Sequence, residues 1–498
     1  MTLDLRLCSR ARLARDARFD GRFYIAVLTT RIYCRPICRS RTSQEKNVRY
    51  FPTAAAAAAA GFRPCLRCRP ECSPGTAVWA GTKNTVSRAL RLINESGLEE
   101  GGIEALAAHL GLGSRHLRRL FLRHLGASPR AVAQTRRLHF AKKLIDESTL
   151  PMTQIAIAAG FGSVRRFNAA VHEVYGRTPT ELRARVAKKI AAQPDNQYLF
   201  HLDYRPPYAW REMLSTLRAQ ATPGVECVAD DAYRRTMEVN GVPGYFEVTR
   251  NEERHALRVR VNIEEPRSLF LVTERIRAMF DLDADSPTIE RALKVDPGLA
   301  SRVRAYPGLR VAGCWSGFEL AVNAILSGHA AAGRSPSRAL VATFGERVDF
   351  APGLMPLFPR AEVLAGGDLR RAGLSKVQTL AVRALARAVD EGRIRFEKVA
   401  DPDAVLHELA SIPGFTSEVL QSVAMRALRE PDAFPLQQHE VGRALGLEEP
   451  REIERRTSAW RPWRAYAAVY LAAPAAGEPQ ASLRISRRKS STSASVVM

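Results

Sequence analysis

The chain has nothing that would carry it into a membrane. None of its 498 residues lies in an apolar run near the roughly 20 residues of a membrane span. The longest bland stretch, Ala54 to Ala60, is alanine, too short and too weakly apolar to insert. Met1 to Arg18 alternates charged with apolar residues and lacks a secretory core, so a cytoplasmic protein is expected. Gly-rich phosphate loops and repeat arrays are also missing. Acidic residues are in short supply: 51 Asp and Glu face 75 Lys and Arg, a net charge of +24. That balance favours a polyanionic partner without choosing between nucleic acid and a membrane surface. A hydrophobic fraction of 46% excludes a disordered chain, and the length implies three or four domains. Cysteine is scarce but clustered. In a reducing compartment clustering points to metal or nucleophile chemistry rather than disulfides.

Four of the eight cysteines form two close pairs, Cys34-Arg-Pro-Ile-Cys38 and Cys65-Leu-Arg-Cys68. Two pairs on tight turns suit one tetrahedral Zn²⁺ held by four thiolates. Ordinary buried thiols are the alternative, and the paired spacing with basic flanks argues against it. The flanks carry Arg31, Arg35, Arg39, Arg41, Arg63, Arg67 and Arg69, too many for a purely structural site; some form a solvated face, and the set points to phosphate contact.

The run Phe23 to Cys38, with Gly61-Phe-Arg-Pro-Cys-Leu-Arg-Cys-Arg-Pro-Glu71, resembles the metal-binding domain of Ada-type adaptive-response regulators. The resemblance implies that Cys34 accepts a methyl group from a DNA methylphosphotriester. It assigns phosphate contacts to Thr30, Arg41 and Arg63. A metal-bound thiolate stays deprotonated and nucleophilic at neutral pH, which is consistent with that role. Four thiolates on Zn²⁺ carry a formal −2 and methylation leaves −1, so repair itself would ease repulsion from DNA and act as a switch. One departure is Arg31, where the family usually has glycine; its side chain either alters access or adds a phosphate contact.

From Thr82 to Lys189 the pattern is helical and basic. Ile103 to Leu110 is a helix, Gly111-Leu-Gly113 a turn, and Ser114 a candidate N-cap. The following helix turns Leu117, Leu120 and Phe121 inward and Arg115, His116, Arg118 and Arg119 outward. A second unit repeats this: Ile155 to Ala159, the turn Gly160-Phe-Gly162, and Ser163 as N-cap. Its last helix exposes Arg165, Arg166 and Asn168. A helix from Arg130 to Glu147 joins the two. A bundle with charged outer faces is the alternative, but the tandem arrangement, from Val86 to Arg185, resembles the AraC-type DNA-binding domain. That resemblance implies two helices in successive major-groove segments.

Beyond the polar break Gln193 to Gln197, strand-like alternation appears, as in Leu257-Arg-Val-Arg-Val-Asn-Ile263. Leu202-Asp-Tyr-Arg-Pro-Pro-Tyr208, Gly317 to Leu326, Ile412-Pro-Gly414, Glu430-Pro-Asp-Ala-Phe-Pro435 and Trp460-Arg-Pro-Trp-Arg-Ala-Tyr466 resemble AlkA-type 3-methyladenine DNA glycosylases. The resemblance covers nearly everything after Tyr198. It puts the carboxylate that stabilises the cationic sugar at Gln438, where a neutral amide stands. Asp432 belongs to the Pro-Asp-Ala-Phe-Pro pattern itself, and Glu440 lies about 200° around a helix from Gln438. The hairpin reads Gly414-Phe-Thr416 in place of Gly-x-Gly. The wedge loop Ser327-Gly-His-Ala330 lacks a large apolar or Gln side chain. Trp315, Trp460, Trp463 and Tyr466 either line a base pocket or are core aromatics. No Pro-Cys-His-Arg motif is present, so guanine O6-methyl transfer is not expected.

The expected architecture is multidomain and mainly α with α+β parts. It comprises a zinc methyl-acceptor domain (1–76), a tandem helix-turn-helix domain (82–190), an α+β AlkA-type N-terminal domain (198–310), an all-α helix-hairpin-helix glycosylase-like domain (311–475) and a disordered basic tail (476–498). The expected function is single-turnover methyl transfer coupled to transcriptional activation, with one Zn²⁺ and with double-stranded DNA and RNA polymerase as partners. Base release by the C-terminal half is not expected. The alternatives are a bifunctional protein with working base excision and a pure regulator with a structural zinc.

Overall fold

The computed structural model describes residues 3–75, 85–96, 102–186, 194, 196–327, 335–348 and 356–474. The basic tail and Gly328 to Ala330 of the wedge loop lie outside the described residues.

The first part is built on a small sheet of order β3-β1-β2-β4: β1 Tyr24–Val27, β2 Ile32–Cys34, β3 Val48–Phe51 and β4 Arg63–Pro64. Helix α1 (Leu5–Ala14) precedes it, and α2 (Ala54–Ala59) is the alanine run. Thr53 caps α2, its side chain accepting from the Ala56 amide at 3.0 Å, and small side chains let α2 approach its neighbours closely.

Seven helices follow: α3 Thr85–Ser96, α4 Gly102–His109, α5 Ser114–Leu125, α6 Pro129–Glu147, α7 Met152–Ala158, α8 Val164–Tyr175 and α9 Pro179–Ala184. The two helix-turn-helix units are α4–α5 and α7–α8. One expectation is corrected here. Ser114 is the first residue of α5 and Gly113 sits at its N-cap, without a side-chain cap bond. In the second unit Ser163 does cap α8, accepting from the Arg166 amide at 3.3 Å.

The third part is an antiparallel sheet of order β5-β9-β8-β7-β6: β5 Gln197–Asp203, β6 Glu226–Ala229, β7 Ala232–Val239, β8 Val242–Asn251 and β9 Ala256–Ile263. Helix α10 (Trp210–Gln220) and helices α11 Leu269–Met279, α12 Ser286–Leu293 and α13 Pro297–Ala305 complete its surroundings. The last part is all helical: α14 Gly317–Ser327, α15 Pro336–Phe344, α16 Ala361–Gly366, α17 Lys376–Asp390, α18 Pro402–Ala410, α19 Ser417–Arg426, α20 Gln438–Leu445, α21 Pro450–Ala459 and α22 Arg464–Ala472.

The cores do not respect the sequence-based divisions. Ala55 and Ala56 of α2 share a core with Val86, Leu117, Phe121 and Val132, so the zinc-type domain and the first helix-turn-helix unit pack together. A second core runs from Leu144, Ile155 and Phe167 through Phe200, Phe246 and Val259 to Val272 and Ile276. The second helix-turn-helix unit is therefore continuous with the β5–β9 sheet. Arg91 on α3 reaches Glu430 at 3.0 Å, fastening the first unit to the helical C-terminal part.

Candidate metal centre and nucleic-acid interface

Cys34 ends β2, and a tight turn returns the chain to Cys38, whose amide donates to the Arg35 carbonyl at 3.1 Å. Parallel pairing of Ile32 with Arg63 and Tyr33 with Pro64 brings the second pair alongside. The Cys65 amide donates to the Tyr33 carbonyl at 3.0 Å, and Arg69, in the left-handed region at φ 52°, closes the turn after Cys68. The sulfurs of Cys34, Cys38, Cys65 and Cys68 all lie within 4.8 Å of one another. Hydrogen bonds among the thiols themselves push Cys34 and Cys68 up, while those from Cys34 pull Cys38 and Cys65 down, Cys65 to about 6. Four thiolates at this spacing need a cation to coexist, and an all-sulfur tetrahedral set fits Zn²⁺. The four cysteines form a site for one metal ion.

Thr30, Arg41 and Arg63 are exposed on this part of the molecule, as are Arg31, Arg39 and Arg67. Arg31 takes a left-handed backbone at φ 55°, and its guanidinium stacks on Phe62 at 4.7 Å. The helical end of the second reading unit lies beside the site, since a Cβ on Gly176, at the C-cap of α8, would come 3.2 Å from Arg63 Nη1. Two of the flanking arginines do not serve as phosphate contacts. Arg35 is 4% exposed and ion-paired with Asp20 and Asp203. Arg69 is turned onto Glu71, Asp146 and Glu147. Buried carboxylates outcompete solvent for these two guanidinium groups.

On α5, Arg115, His116, Arg118 and Arg119 are exposed while Leu117, Phe121 and Leu125 are buried. On α8, Arg165, Arg166 and Asn168 are exposed over buried Phe167 and Val171. Each helix thus offers a charged outer face with a fixed apolar back, and α6 holds the two at a set separation.

The C-terminal positions divide between two places. Gln438 opens α20, is exposed, and lines a surface cavity of about 850 Å³ with Glu418, Gln421 and Phe434. Glu440 bonds back to the Gln437 amide at 2.9 Å in a capping box, and Asp432 is paired with Arg461 and Arg464, both at 2.7 Å. Trp315 and Tyr466 line a different, interdomain cavity of about 1130 Å³. Trp315 is flanked by the guanidinium groups of Arg235 and Arg275, at 5.7 and 5.4 Å. Trp460 donates to Asp296 at 2.9 Å, Trp463 meets Tyr466 edge-on, and the Tyr466 hydroxyl donates to Asp281 at 2.9 Å. All four aromatics are largely buried, so most of their surface is committed to packing. Burial pushes the Asp281 carboxyl up to about 6. In the hairpin, Gly414 takes φ +96° and Thr416 caps α19, accepting from the Val419 amide at 3.4 Å.

Residues 7–71 match the metal binding domain of Ada, 106–185 a helix-turn-helix domain, and 199–316 the AlkA N-terminal domain. A probable bifunctional transcriptional activator/DNA repair enzyme AlkA of Mycobacterium tuberculosis (strain H37Rv) is 37% identical over 477 residues, 94% of this chain and 96% of that protein. The chain belongs to this bifunctional activator/DNA repair family. DNA-3-methyladenine glycosylase 2 of Escherichia coli K12 is 29% identical over 280 residues, 55% of this chain and 96% of that enzyme. The bifunctional transcriptional activator/DNA repair enzyme Ada of the same organism is 34% identical over 171 residues, 34% of this chain and 47% of that protein.

As a member of the bifunctional activator/DNA repair family, the chain joins an Ada-type zinc domain, an AraC-type DNA-binding domain and a glycosylase fold. DNA is its partner. Among the described residues no helix is long and apolar enough to cross a membrane. Sequence reasoning missed the side chains that connect the metal site to the rest of the chain: Asp20, Asp203, Arg205 and His139, which meets the Tyr33 hydroxyl at 3.0 Å. The Arg-Pro-Pro of Leu202 to Tyr208 was the available signal, because it places charge at the end of a strand.

Proposed function

We propose that this chain is a single-turnover methylphosphotriester-DNA–cysteine S-methyltransferase that becomes a transcriptional activator once methylated. The observation that carries the reading is the four-sulfur site with Cys34 at its strand end, beside exposed Thr30, Arg41 and Arg63. Cys34, Cys38, Cys65 and Cys68 hold the Zn²⁺, which keeps their sulfurs as thiolates. Thr30, Arg41 and Arg63 grip the phosphate and present its methyl ester. The Cys34 sulfur attacks the methyl carbon, the carbon–oxygen bond breaks, and the electron pair leaves with the phosphodiester oxygen. No proton moves. The thioether is not regenerated, so each molecule acts once. The sulfurs lose one negative charge, repulsion from DNA falls, and α5 and α8 bind their operator more tightly. Arg115, His116, Arg118, Arg119, Arg165, Arg166 and Asn168 make those groove contacts. The bound protein recruits RNA polymerase in the cytoplasm.

The test is peptide mass after exposure to methylphosphotriester DNA. Cys34 should gain about 14 Da, the mass of CH₂ added to a thiol, and Cys34→Ser should abolish the gain. No gain in wild type would leave a pure regulator with a structural zinc.

In this reading the C-terminal half is a retained glycosylase fold that grips DNA without releasing bases, since Gln438 cannot balance a cationic sugar. A second reading, working base excision, is favoured by the half-buried Glu418 carboxylate in the Gln438 cavity. Release of 3-methyladenine from alkylated duplex DNA separates the two. Silent wild type with activity gained in Gln438→Asp supports the first. Activity in wild type that Glu418→Gln removes supports the second.

A further inference from the structure

Arg35 stands between the first two metal ligands, yet its side chain serves the other half of the protein. Its backbone N–H donates to the Cys68 sulfur at 3.4 Å, and its carbonyl accepts from the Cys38 amide at 3.1 Å. The backbone of this one residue therefore bears on three of the four sulfurs, those of Cys34, Cys38 and Cys68. Its guanidinium points inward. Nε donates to both oxygens of Asp20 at 2.9 and 3.1 Å, and Nη1 donates to the Cys68 carbonyl at 3.3 Å. Nη2 donates to Asp20 and, at 2.9 Å, to Asp203.

Asp203 is the last residue of β5, 168 positions away in sequence, and is 7% exposed. Its other oxygen accepts from Arg254 of the same sheet region. Two residues on, Arg205 has no exposed surface. It donates to the Asp20 carbonyl at 2.8 Å, to the Asp283 carbonyl at 2.7 Å and to the Gly75 carbonyl. Asp20 is thus held from both sides, and Arg35 is held between two carboxylates of different domains. A guanidinium with this many buried partners has one geometry, because each lost contact leaves a charged group unpaired in a dry place.

We propose that Asp203 of the glycosylase-type N-domain is a positioning residue for methyl acceptance at Cys34. It acts through Arg35, fixing the turn that carries Cys34 and Cys38 against the incoming phosphotriester. In-line displacement at carbon is intolerant of misplacement, and a shift of about 1 Å can cost about 10²-fold in rate. The proposal rests on Cys34 being the acceptor. It makes the C-terminal half part of the methyl-transfer apparatus, whether or not that half releases bases.

The experiment uses full-length zinc-loaded protein and a duplex carrying one methylphosphotriester. Single-turnover methylation of the Cys34 peptide is followed by mass over a range of DNA concentrations. Asp203→Asn is expected to lower the saturating rate at least about tenfold while zinc content and the half-saturating DNA concentration stay at the wild-type values. Asp203→Glu should recover part of the rate. Arg35→Lys, which cannot bridge both carboxylates, should be slowed similarly and covers the case in which Asp203→Asn does not fold. An undiminished saturating rate in Asp203→Asn, or in Arg35→Lys where only that variant folds, overturns the proposal. So does a rate that falls only in step with lost zinc or lost DNA affinity. Wild type that leaves Cys34 unmethylated overturns the acceptor reading instead, and this proposal with it.

Discussion

Arg31 stands at a place where the backbone favours glycine. Its φ of 55° is the region that glycine occupies without a Cβ clash, which accounts for the glycine usual at this place. Arginine there costs about 1 to 2 kcal/mol of backbone strain. Stacking on Phe62 returns about 0.5 to 1 kcal/mol, and a non-glycine residue has less unfolded-state entropy to lose. The terms nearly cancel. Arg31→Gly should therefore change stability by less than about 1 kcal/mol in denaturant unfolding, and a loss beyond about 2 kcal/mol would show that Arg31 holds the site together. His139 behaves differently. Burial, with Arg136 and Lys142 nearby, outweighs Glu71 and lowers its pKa from 6.5 to about 4, so it is neutral where it meets Tyr33. The unfolded chain takes up this proton first as pH falls. Stability from His139 is intact above about 6.5 and is lost between 6.5 and 4, by up to about 1.4 kcal/mol per pH unit. Unfolding titrations of wild type and His139→Gln should diverge in that window and nowhere above it.

At the scale of elements, α6 carries the most. Its first turns place Val132 and Ala133 in the core shared with α2 and α5, and its later turns place Leu138, Leu144 and Ile145 in the core shared with the β5–β9 sheet. Leu144 has no exposed surface. Leu144→Ala should cost about 2 to 5 kcal/mol and should weaken DNA binding by both reading helices together, whereas a change on the outer face of α5 alone should not destabilise the fold. Binding and thermal melting of the two variants would separate these effects. The sequence made α6 readable as a joining helix because its length and the turns at either end are local signals. The cysteine pairs were readable for the same reason, since two thiols on one turn declare themselves by spacing. Ser114 was misplaced by one residue because the glycine before it can also adopt the cap conformation. The Arg35–Asp203 contact was out of reach. Nothing local distinguishes a buried arginine from its exposed neighbours Arg39 and Arg41 when the deciding carboxylate is 168 residues away.

Buried charge joins the apolar cores in holding the molecule together at its internal boundaries, and that makes its assembly sensitive to acid. Asp203, Glu71 and Glu147 are enclosed, and Asp283 is half-buried. Burial alone would keep them protonated, but Arg35 and Arg254, Lys142 and Arg69, Lys143 and Arg69, and Arg277 and Arg205 respectively hold each below its ordinary range. Depressed carboxylates contribute stability that is complete above their unfolded pKa, near 4, and that disappears as pH falls through their lower folded values. Loss should therefore begin below about pH 5 and continue down the scale. These groups join the zinc-type domain to α6 and to the sheet, and one apolar core already runs from α6 to α11. The second helix-turn-helix unit and the AlkA-type N-domain should consequently unfold in a single calorimetric transition at neutral pH, although they read as separate domains in the sequence. Lowering the pH should move the zinc-type domain's release from the sheet ahead of that transition, because the Arg35–Asp203 tie to the sheet is ionic where that of the second helix-turn-helix unit is apolar. Asp203→Asn should produce the same separation at neutral pH. Two transitions for the α6–α8 region and the sheet at neutral pH would mean that their shared core does not couple them.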